Sequence, residues 1–187
     1  ARASSPPTPC GAFLRERLFE PLGMKDTAFF VPPDKIERLP AFYRFDHPSR
    51  SLVFFDDVAE SAWSREPAFE SGGGGLVSTV DDCLAFSKMM RDRGRHGRES
   101  ILSPASVELM TSDQVTPKQL EGAELFFGTN RSWGFGMAVD TRRDDLFRTP
   151  GRFGWDGGFG TSMYIDPAKG VIGILLTQRL MDSPLPP

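Results

Sequence analysis

The 187-residue sequence has too few cysteines and histidines to build its fold around disulfides or metal ions. Cys10 and Cys83 are far apart in the chain, and His47 and His96 lie in polar, arginine-rich surroundings. We therefore predict two free thiols, with one disulfide as the alternative, two solvated histidines and no metal site. A chain of this length can bury enough surface to fold as one domain without such staples.

The sequence also lacks an excess of positive charge and any long apolar run. Lys and Arg total 22 against 25 for Asp and Glu, and the net charge of −3 argues against nucleic acid as a partner. Residues 171–177 form the longest apolar run, far short of the roughly 20 residues that cross a bilayer. Residues 1–10 are polar and proline-rich, so we expect a disordered lead-in, no secretory signal and a location that favours the cytoplasm.

Motifs that bind phosphates or cofactors are missing as well. The sequence has no Gly-x-x-x-x-Gly-Lys-Ser/Thr and no Gly-x-Gly-x-x-Gly between a strand and a helix. The glycine run at residues 72–75 precedes a predicted helix and could hold an anion, but we interpret it as a flexible turn. The acidic pairs at 56–57 and 144–145 are interpreted as solvated charge. No cofactor is expected.

Helical spacing of apolar residues marks the first two thirds of the chain. It predicts amphipathic helices over 13–20, 80–90 and 104–110, with the first ending at Pro21 and Gly23 and the second capped by Ser78 or Thr79. Residues 31–69 contain five prolines and scattered aromatic clusters. We predict for them an irregular packed loop that lines a site.

Short runs of aromatic and β-branched residues dominate the last third. They predict strands over 133–139, 153–155, 162–165 and 171–177, the last two joined as a hairpin by a turn at 166–170. Helices followed by a sheet predict an α+β fold, with a helical and loop part over about 11–130 and a sheet part over about 131–180 of one domain, 11–187.

Between two of these strands lies a glycine-rich ribbon. Residues 154–160 interleave four glycines with two aromatic residues and one acid. Such spacing is typical of a tight bulge at a sheet edge. It also fits an edge strand whose backbone amides face the negative charge that develops in acyl transfer.

Three separated segments resemble motifs of the serine β-lactamase-related hydrolases, which include class C β-lactamases, DD-peptidases and family VIII carboxylesterases. Residues 13–27 resemble F-x-x-x-x-I-F-x-P-L-G-M-x-x-T, and residues 70–82 resemble G-G-G-L-x-S-T-x-x-D. Residues 155–158 stand where that family carries Lys-Thr-Gly, His-x-Gly or Trp-Gly-Gly. The resemblance runs from residue 13 to about 182 and implies a β-lactamase/transpeptidase-like fold with an antiparallel sheet.

The resemblance implies roles for the third motif. In the family this motif lies on an edge strand that walls the active-site cleft, and the amide that follows it helps to stabilise the acyl oxyanion. The matching positions here are Trp155, Asp156, Gly157 and Gly158, so Gly158 would supply the amide. An indole at Trp155 and a negative charge at Asp156 both disfavour a substrate carboxylate and favour a neutral ester.

The family's reactive motifs are missing from these residues. Neither tyrosine begins Tyr-x-Asn, and no lysine completes Ser-x-x-Lys. The residues three positions before the lysines are Leu22, Pro32, Ala85, Val115 and Asp166. We therefore expect the C-terminal part of the fold only, without the preceding part and without the closing C-terminal helix. Ser78, Ser87 and Ser162 have no activating neighbour in the sequence and are interpreted as capping or solvated residues.

Three functional hypotheses remain open on the sequence. The first is a portion of an esterase or peptidase that acts on small neutral esters or amides and is inactive alone. The second is a non-catalytic module that binds a ligand or a partner chain. The third is a two-chain enzyme in which a complementary chain supplies the nucleophile. The last two predict association through exposed strand edges and apolar surface.

Overall fold

The first helical segment shows how a proline can be placed inside a helix. The structure, a computed structural model, describes residues 8–143 and 145–182. Helix α1 (Cys10–Leu14), a π-helical turn (Arg15–Phe19) and helix α2 (Glu20–Leu22) follow without a break. The predicted stop at Pro21 is wrong, because Pro21 lies in the first residues of α2, where its missing amide hydrogen is tolerated. Gly23 ends the segment with φ at 71°, as predicted.

The other two predicted helices are confirmed, and each begins at a capping side chain. Helix α3 (Val80–Arg91) is capped by Thr79, whose hydroxyl accepts a hydrogen bond from the Asp82 N–H at 3.3 Å. Helix α4 (Pro104–Thr111) is capped in the same way by Ser103. Two short helices, α5 (Pro117–Leu120) and α6 (Glu124–Phe127), were not predicted.

Residues 31–69 are not the irregular loop that the prolines suggested. They contain a 3₁₀ turn (Pro33–Arg38), a hairpin of β1 (Phe42–Asp46) with β2 (Ser51–Asp56), and a second 3₁₀ turn (Ala62–Ser64). The strands form because aromatic residues, which favour pleated structure, are concentrated between the prolines. Arg50, with φ at 53°, closes the turn of the hairpin.

The main sheet has five antiparallel strands in the order β5-β6-β7-β8-β9. Their bounds are β5 Arg131–Trp133, β6 Ala138–Asp140, β7 Phe153–Gly157, β8 Thr161–Asp166 and β9 Val171–Leu176. The predicted single strand over 133–139 is wrong, because Gly136 takes φ of 101° and the chain reverses between β5 and β6. The predicted hairpin of β8 and β9 is confirmed. A small hairpin of β3 (Arg95–His96) and β4 (Glu99–Ser100) follows α3.

One hydrophobic core joins the helices to one face of the sheet. Phe19, Met89 and Met90 from the helical part pack with Phe153 and Ile165 of β7 and β8. This packing confirms the α+β class. Cys10 and Cys83 are both free, as predicted. Among the described residues, no three acidic, histidine or cysteine side chains converge to hold a metal ion, and none of their helices is long and apolar enough to cross a bilayer.

Candidate active site

The end of strand β7 has one edge without a neighbouring strand. Strand β6 pairs with β7 only at Phe153 and Gly154, because β6 begins at Ala138 after the turn from β5. Strand β8 pairs with β7 along its whole length. From Trp155 to Gly157, the other edge of β7 therefore faces no strand in the described part of the chain. This is the segment that the sequence identified as a candidate site.

Trp155 lines an open apolar cavity of about 340 Å³ together with Val115, Phe126, Phe127 and Trp133. The two indole rings meet edge to face, with centroids 4.7 Å apart and an interplanar angle of 89°. The Phe127 ring lies 6.2 Å from that of Trp155. With 37% of its surface exposed, Trp155 forms an accessible wall rather than a core contact.

The carboxylate of Asp156 is directed away from this cavity. It accepts hydrogen bonds from the Ser162 hydroxyl and the Tyr164 hydroxyl, each at 2.7 Å. Successive side chains of a strand point to opposite faces, so Asp156 and Trp155 lie on different faces of the sheet. Burial, together with the hydrogen bond to Asp156, raises the pKa of Tyr164 above its ordinary value. Asp156 thus anchors β7 to β8, and its charge is already hydrogen-bonded.

A buried charged cluster supports Tyr164 from behind. The guanidinium carbon of Arg152 lies 3.7 Å from the centre of the Tyr164 ring. Asp140, only 2% exposed, binds Arg152 at 2.8 Å and Arg131 at 3.2 Å. Sequence reasoning missed this cluster, because the predicted single strand over 133–139 hid the β5–β6 hairpin that pairs Arg131 with Asp140.

In the turn between β7 and β8, the N–H groups of Gly158 and Phe159 have no acceptor among the described residues. Two of the carbonyl groups here are hydrogen-bonded: Gly157 O accepts from Gly160 N at 2.9 Å, and Gly158 O accepts from Met181 N at 2.9 Å. Gly160 O accepts from both the amide and the hydroxyl of Thr177. No group among the described residues accepts from the Gly158 N–H. A side chain built at Gly158 would meet nothing within 4 Å, so this position is open.

A second aromatic cluster holds the same turn from the other side. The Phe159 ring packs edge to face against Phe42 at 4.9 Å and against Trp63 at 4.8 Å. Trp63 also donates its indole N–H to the Gly75 carbonyl at 2.8 Å, which joins the glycine run to the turn. Residues from the 31–69 segment therefore pack beside the candidate site.

The three serines that were considered as nucleophiles contact neither a lysine nor a histidine among the described residues. The Ser78 hydroxyl lies 2.8 Å from the Thr27 hydroxyl, and the Ser162 hydroxyl donates to Asp156. Ser87 is fully buried in the core, and its hydroxyl has no hydrogen-bond partner in the described part of the chain. Within the described part of the chain, none of the three has the lysine or histidine partner that would activate its hydroxyl.

Comparison with known proteins agrees with this arrangement. The sequence profile of the Beta-lactamase family matches residues 1–184. Protein Rv1367c of Mycobacterium tuberculosis (strain ATCC 25618 / H37Rv) is 34% identical over 185 residues, which cover 93% of this chain and 44% of the relative. An uncharacterized protein of strain CDC 1551 / Oshkosh, MT1414, matches equally well. The chain therefore spans less than half the length of these curated relatives.

Solved structures show the same fold over a similar share. Simvastatin synthase from Aspergillus terreus, as the LovD6 mutant, aligns with a TM-score of 0.73 at 22% identity, over 89% of this chain and 44% of that one. EstCE1, described as a hydrolase with promiscuous acyltransferase activity, aligns with a TM-score of 0.73 at 24% identity, over 92% and 46%. A penicillin-binding protein homologue from Caulobacter crescentus gives 0.61 at 22% identity, over 91% and 47%. The chain belongs to the Beta-lactamase family and has part of its α+β, β-lactamase/transpeptidase-like fold.

Proposed function

We propose that this chain forms the oxyanion side and the acyl wall of a serine hydrolase site that acts on small neutral acyl substrates. The observation that carries this proposal is the unpartnered N–H of Gly158, which lies three residues from Trp155 and its apolar cavity. A fixed backbone N–H stabilises the negative oxygen of an acyl-transfer intermediate without having to reorient.

The cavity favours neutral substrates because its walls carry no charge. All five lining side chains are apolar, so a carboxylate placed there would lose its water without gaining a partner. The ester or amide group needs only a donor for its carbonyl oxygen, which Gly158 can supply. In this proposal Asp156 holds the ribbon in place and does not touch the substrate.

The attacking hydroxyl and its proton acceptor would come from polypeptide outside these 187 residues. The hydroxyl oxygen forms a bond to the carbonyl carbon and its proton passes to the base. The bond to the leaving alkoxide then breaks, and the alkoxide takes up that proton and departs as an alcohol. Water releases the acyl group in the same way. The promiscuous acyltransferase activity of EstCE1 is consistent with this chemistry.

Ligand binding by the chain itself tests the proposal. Tryptophan fluorescence reports on the cavity because Trp133 and Trp155 line it. The measurement uses the Trp63→Phe variant, which lacks the tryptophan that packs against Phe159. Methyl butyrate is expected to quench the signal, butyrate is expected to bind at least about tenfold more weakly, and Trp155→Ala is expected to abolish both responses. Equal affinity for the acid and the ester, or an unchanged response in Trp155→Ala, would contradict the proposal.

A second candidate function is a partner-binding module, and the outer strand of the sheet favours it. Strand β9 pairs on one side only within the described residues, and its Val171 and Leu175 are each 55% exposed. An open edge with apolar side chains is a site for strand addition, either by a second copy or by a complementary chain. Sedimentation velocity distinguishes the cases: association that Leu175→Lys abolishes supports this function, and a monomer at all concentrations opposes it.

A further inference from the structure

Four of the five side chains that line the cavity beside Trp155 are aromatic. We infer that it selects esters whose acyl part carries an aryl ring, such as arylacetyl esters. This inference rests on the proposed function, because it assigns the acyl part of the substrate to this cavity.

The relative angles of three of these rings suit the insertion of an aryl ring from a ligand. Trp133 and Trp155 are perpendicular, and Phe127 is tilted by 59° to Trp133 and by 40° to Trp155. Aromatic pairs prefer edge-to-face or offset stacking over a direct sandwich, and perpendicular walls let one inserted ring make both kinds of contact. An alkyl chain fills the same space without these contacts.

The size of the cavity fits one ring with a short linker. Its volume of about 340 Å³ is roughly twice the ~150 Å³ of an apolar cavity that holds one benzene molecule. Gly158 follows Trp155 by three residues, which span about 10 Å at most along an extended chain, so the linker between ring and carbonyl must be short. In this inference the ring of an arylacetyl ester occupies the cavity and its carbonyl accepts from the Gly158 N–H.

The charge of the walls determines which aryl compounds should bind. No titratable side chain is among the five that line the cavity. An aryl carboxylate would be held without a counter-ion, whereas its methyl ester has no charge to desolvate. The expected ligand is neutral.

Fluorescence titration of the Trp63→Phe chain with three esters tests this inference. Methyl phenylacetate is expected to bind about two- to tenfold more tightly than methyl cyclohexylacetate, and methyl acetate most weakly. The cyclohexyl group has a similar shape and is more hydrophobic, so hydrophobicity alone predicts the reverse order. Equal or reversed affinities would overturn the aryl preference and leave the proposed function standing. Binding of none of the three esters would overturn both.

Two substitutions on α6 test whether the Phe127 ring causes the preference for the phenyl ester. Phe127→Leu is expected to remove the advantage of the phenyl ester while affinity for the cyclohexyl ester stays within about twofold. Leu125→Ala is the matched control, because Leu125 is exposed and does not line the cavity. An unchanged preference in Phe127→Leu would contradict the inference. Should circular dichroism show that Phe127→Leu is unfolded, Phe127→Met provides the same test with a more adaptable side chain.

Discussion

The hydroxyl of Tyr164 donates a hydrogen bond of 2.7 Å to the carboxylate of Asp156. This contact joins the candidate site to the buried cluster behind it, because the Tyr164 ring also stacks on Arg152, which binds Asp140. The position that the resemblance matches to the Thr of Lys-Thr-Gly holds an acid, and its carboxylate accepts hydrogen bonds from two side chains of β8. The strand is thereby fixed from one face, and its free edge remains open to a ligand.

Removing the Tyr164 hydroxyl should weaken the fold. Tyr164→Phe keeps the ring over Arg152 and leaves Asp156 with the Ser162 hydroxyl alone. We expect the free energy of unfolding in urea to fall by about 1.5–3 kcal/mol, as for hydrogen bonds to charged groups. Tyr43→Phe is the control, because the Tyr43 hydroxyl bonds to no described residue, and a change below about 0.5 kcal/mol is expected. A similar loss in both variants would show that the hydroxyl of Tyr164 has no special role.

Replacing Ser87 should stabilise the protein. Its hydroxyl is fully buried and has no hydrogen-bond partner among the described residues. Because Ser87→Ala removes a desolvated polar group from α3, we expect the free energy of unfolding to rise by about 1 kcal/mol. The urea midpoint should rise with it. Ser103→Ala serves as the contrasting variant, since loss of this helix cap should cost about 1 kcal/mol. A lower midpoint for Ser87→Ala would mean that the hydroxyl has a partner in solution.

Acid should weaken the contact between the loop after α2 and the first 3₁₀ turn. Hydrogen bonds from Arg38 and Lys35 lower the pKa of Asp26 from 3.8 to about 2. The folded state therefore binds this proton less readily than the unfolded state, and the contribution to stability is complete above about pH 4 and is lost as the pH falls through 2. Melting temperatures measured from pH 5 to pH 2 should fall less steeply for Asp26→Asn than for the parent chain.

Asp34→Asn is the control for that acid series, because Asp34 makes no ion pair with the described residues and lies in the same 3₁₀ turn. Its melting temperatures should follow those of the parent chain. If Asp26→Asn also followed the parent, the ion pairs of Asp26 would not contribute to stability in solution.

The serines of the 187-residue chain alone should not react with reagents that label the nucleophile of serine hydrolases. The chain contains no Ser-x-x-Lys, and Ser78, Ser87 and Ser162 contact neither lysine nor histidine among the described residues. Incubation with a fluorophosphonate probe followed by intact-mass analysis is expected to show the unmodified mass, since an unactivated hydroxyl is a poor nucleophile. Stoichiometric labelling of one serine would show that the chain carries its own nucleophile.

Local signals predicted the elements of this fold that depend on local physics. Thr79 caps α3 through its own hydroxyl and Gly23 ends α2 through its own backbone conformation, so both helix ends could be predicted from the local sequence. The errors arose where contacts distant in sequence decide the outcome. The prolines of residues 31–69 led us to predict an irregular loop where the β1–β2 hairpin forms. The Tyr43 amide of this hairpin donates a hydrogen bond to the Gln178 carbonyl, which lies just after β9.

The candidate site shows the same division. Glycine spacing and the family resemblance identified residues 155–158 as the candidate site, and the role of these residues stays a prediction. The direction of the Asp156 carboxylate could not be predicted from them, because it depends on Ser162 and Tyr164 of the next strand. The rings opposite Trp155 could not be predicted either. Phe127 lies on α6, which was not predicted, and Trp133 lies on β5, which was predicted as part of one longer strand.

The state of the Gly158 amide tests the central claim most directly. In a ¹⁵N-glycine-labelled chain its resonance can be identified with Gly158→Ala, a substitution for which the turn has room. Saturation with methyl phenylacetate is expected to move this amide proton downfield, as it begins to donate to the ester carbonyl, while Gly170 at the far end of β8 stays unchanged and Trp155→Ala shows no shift. A Gly158 resonance that stays fixed while tryptophan fluorescence reports a saturated cavity would contradict the account.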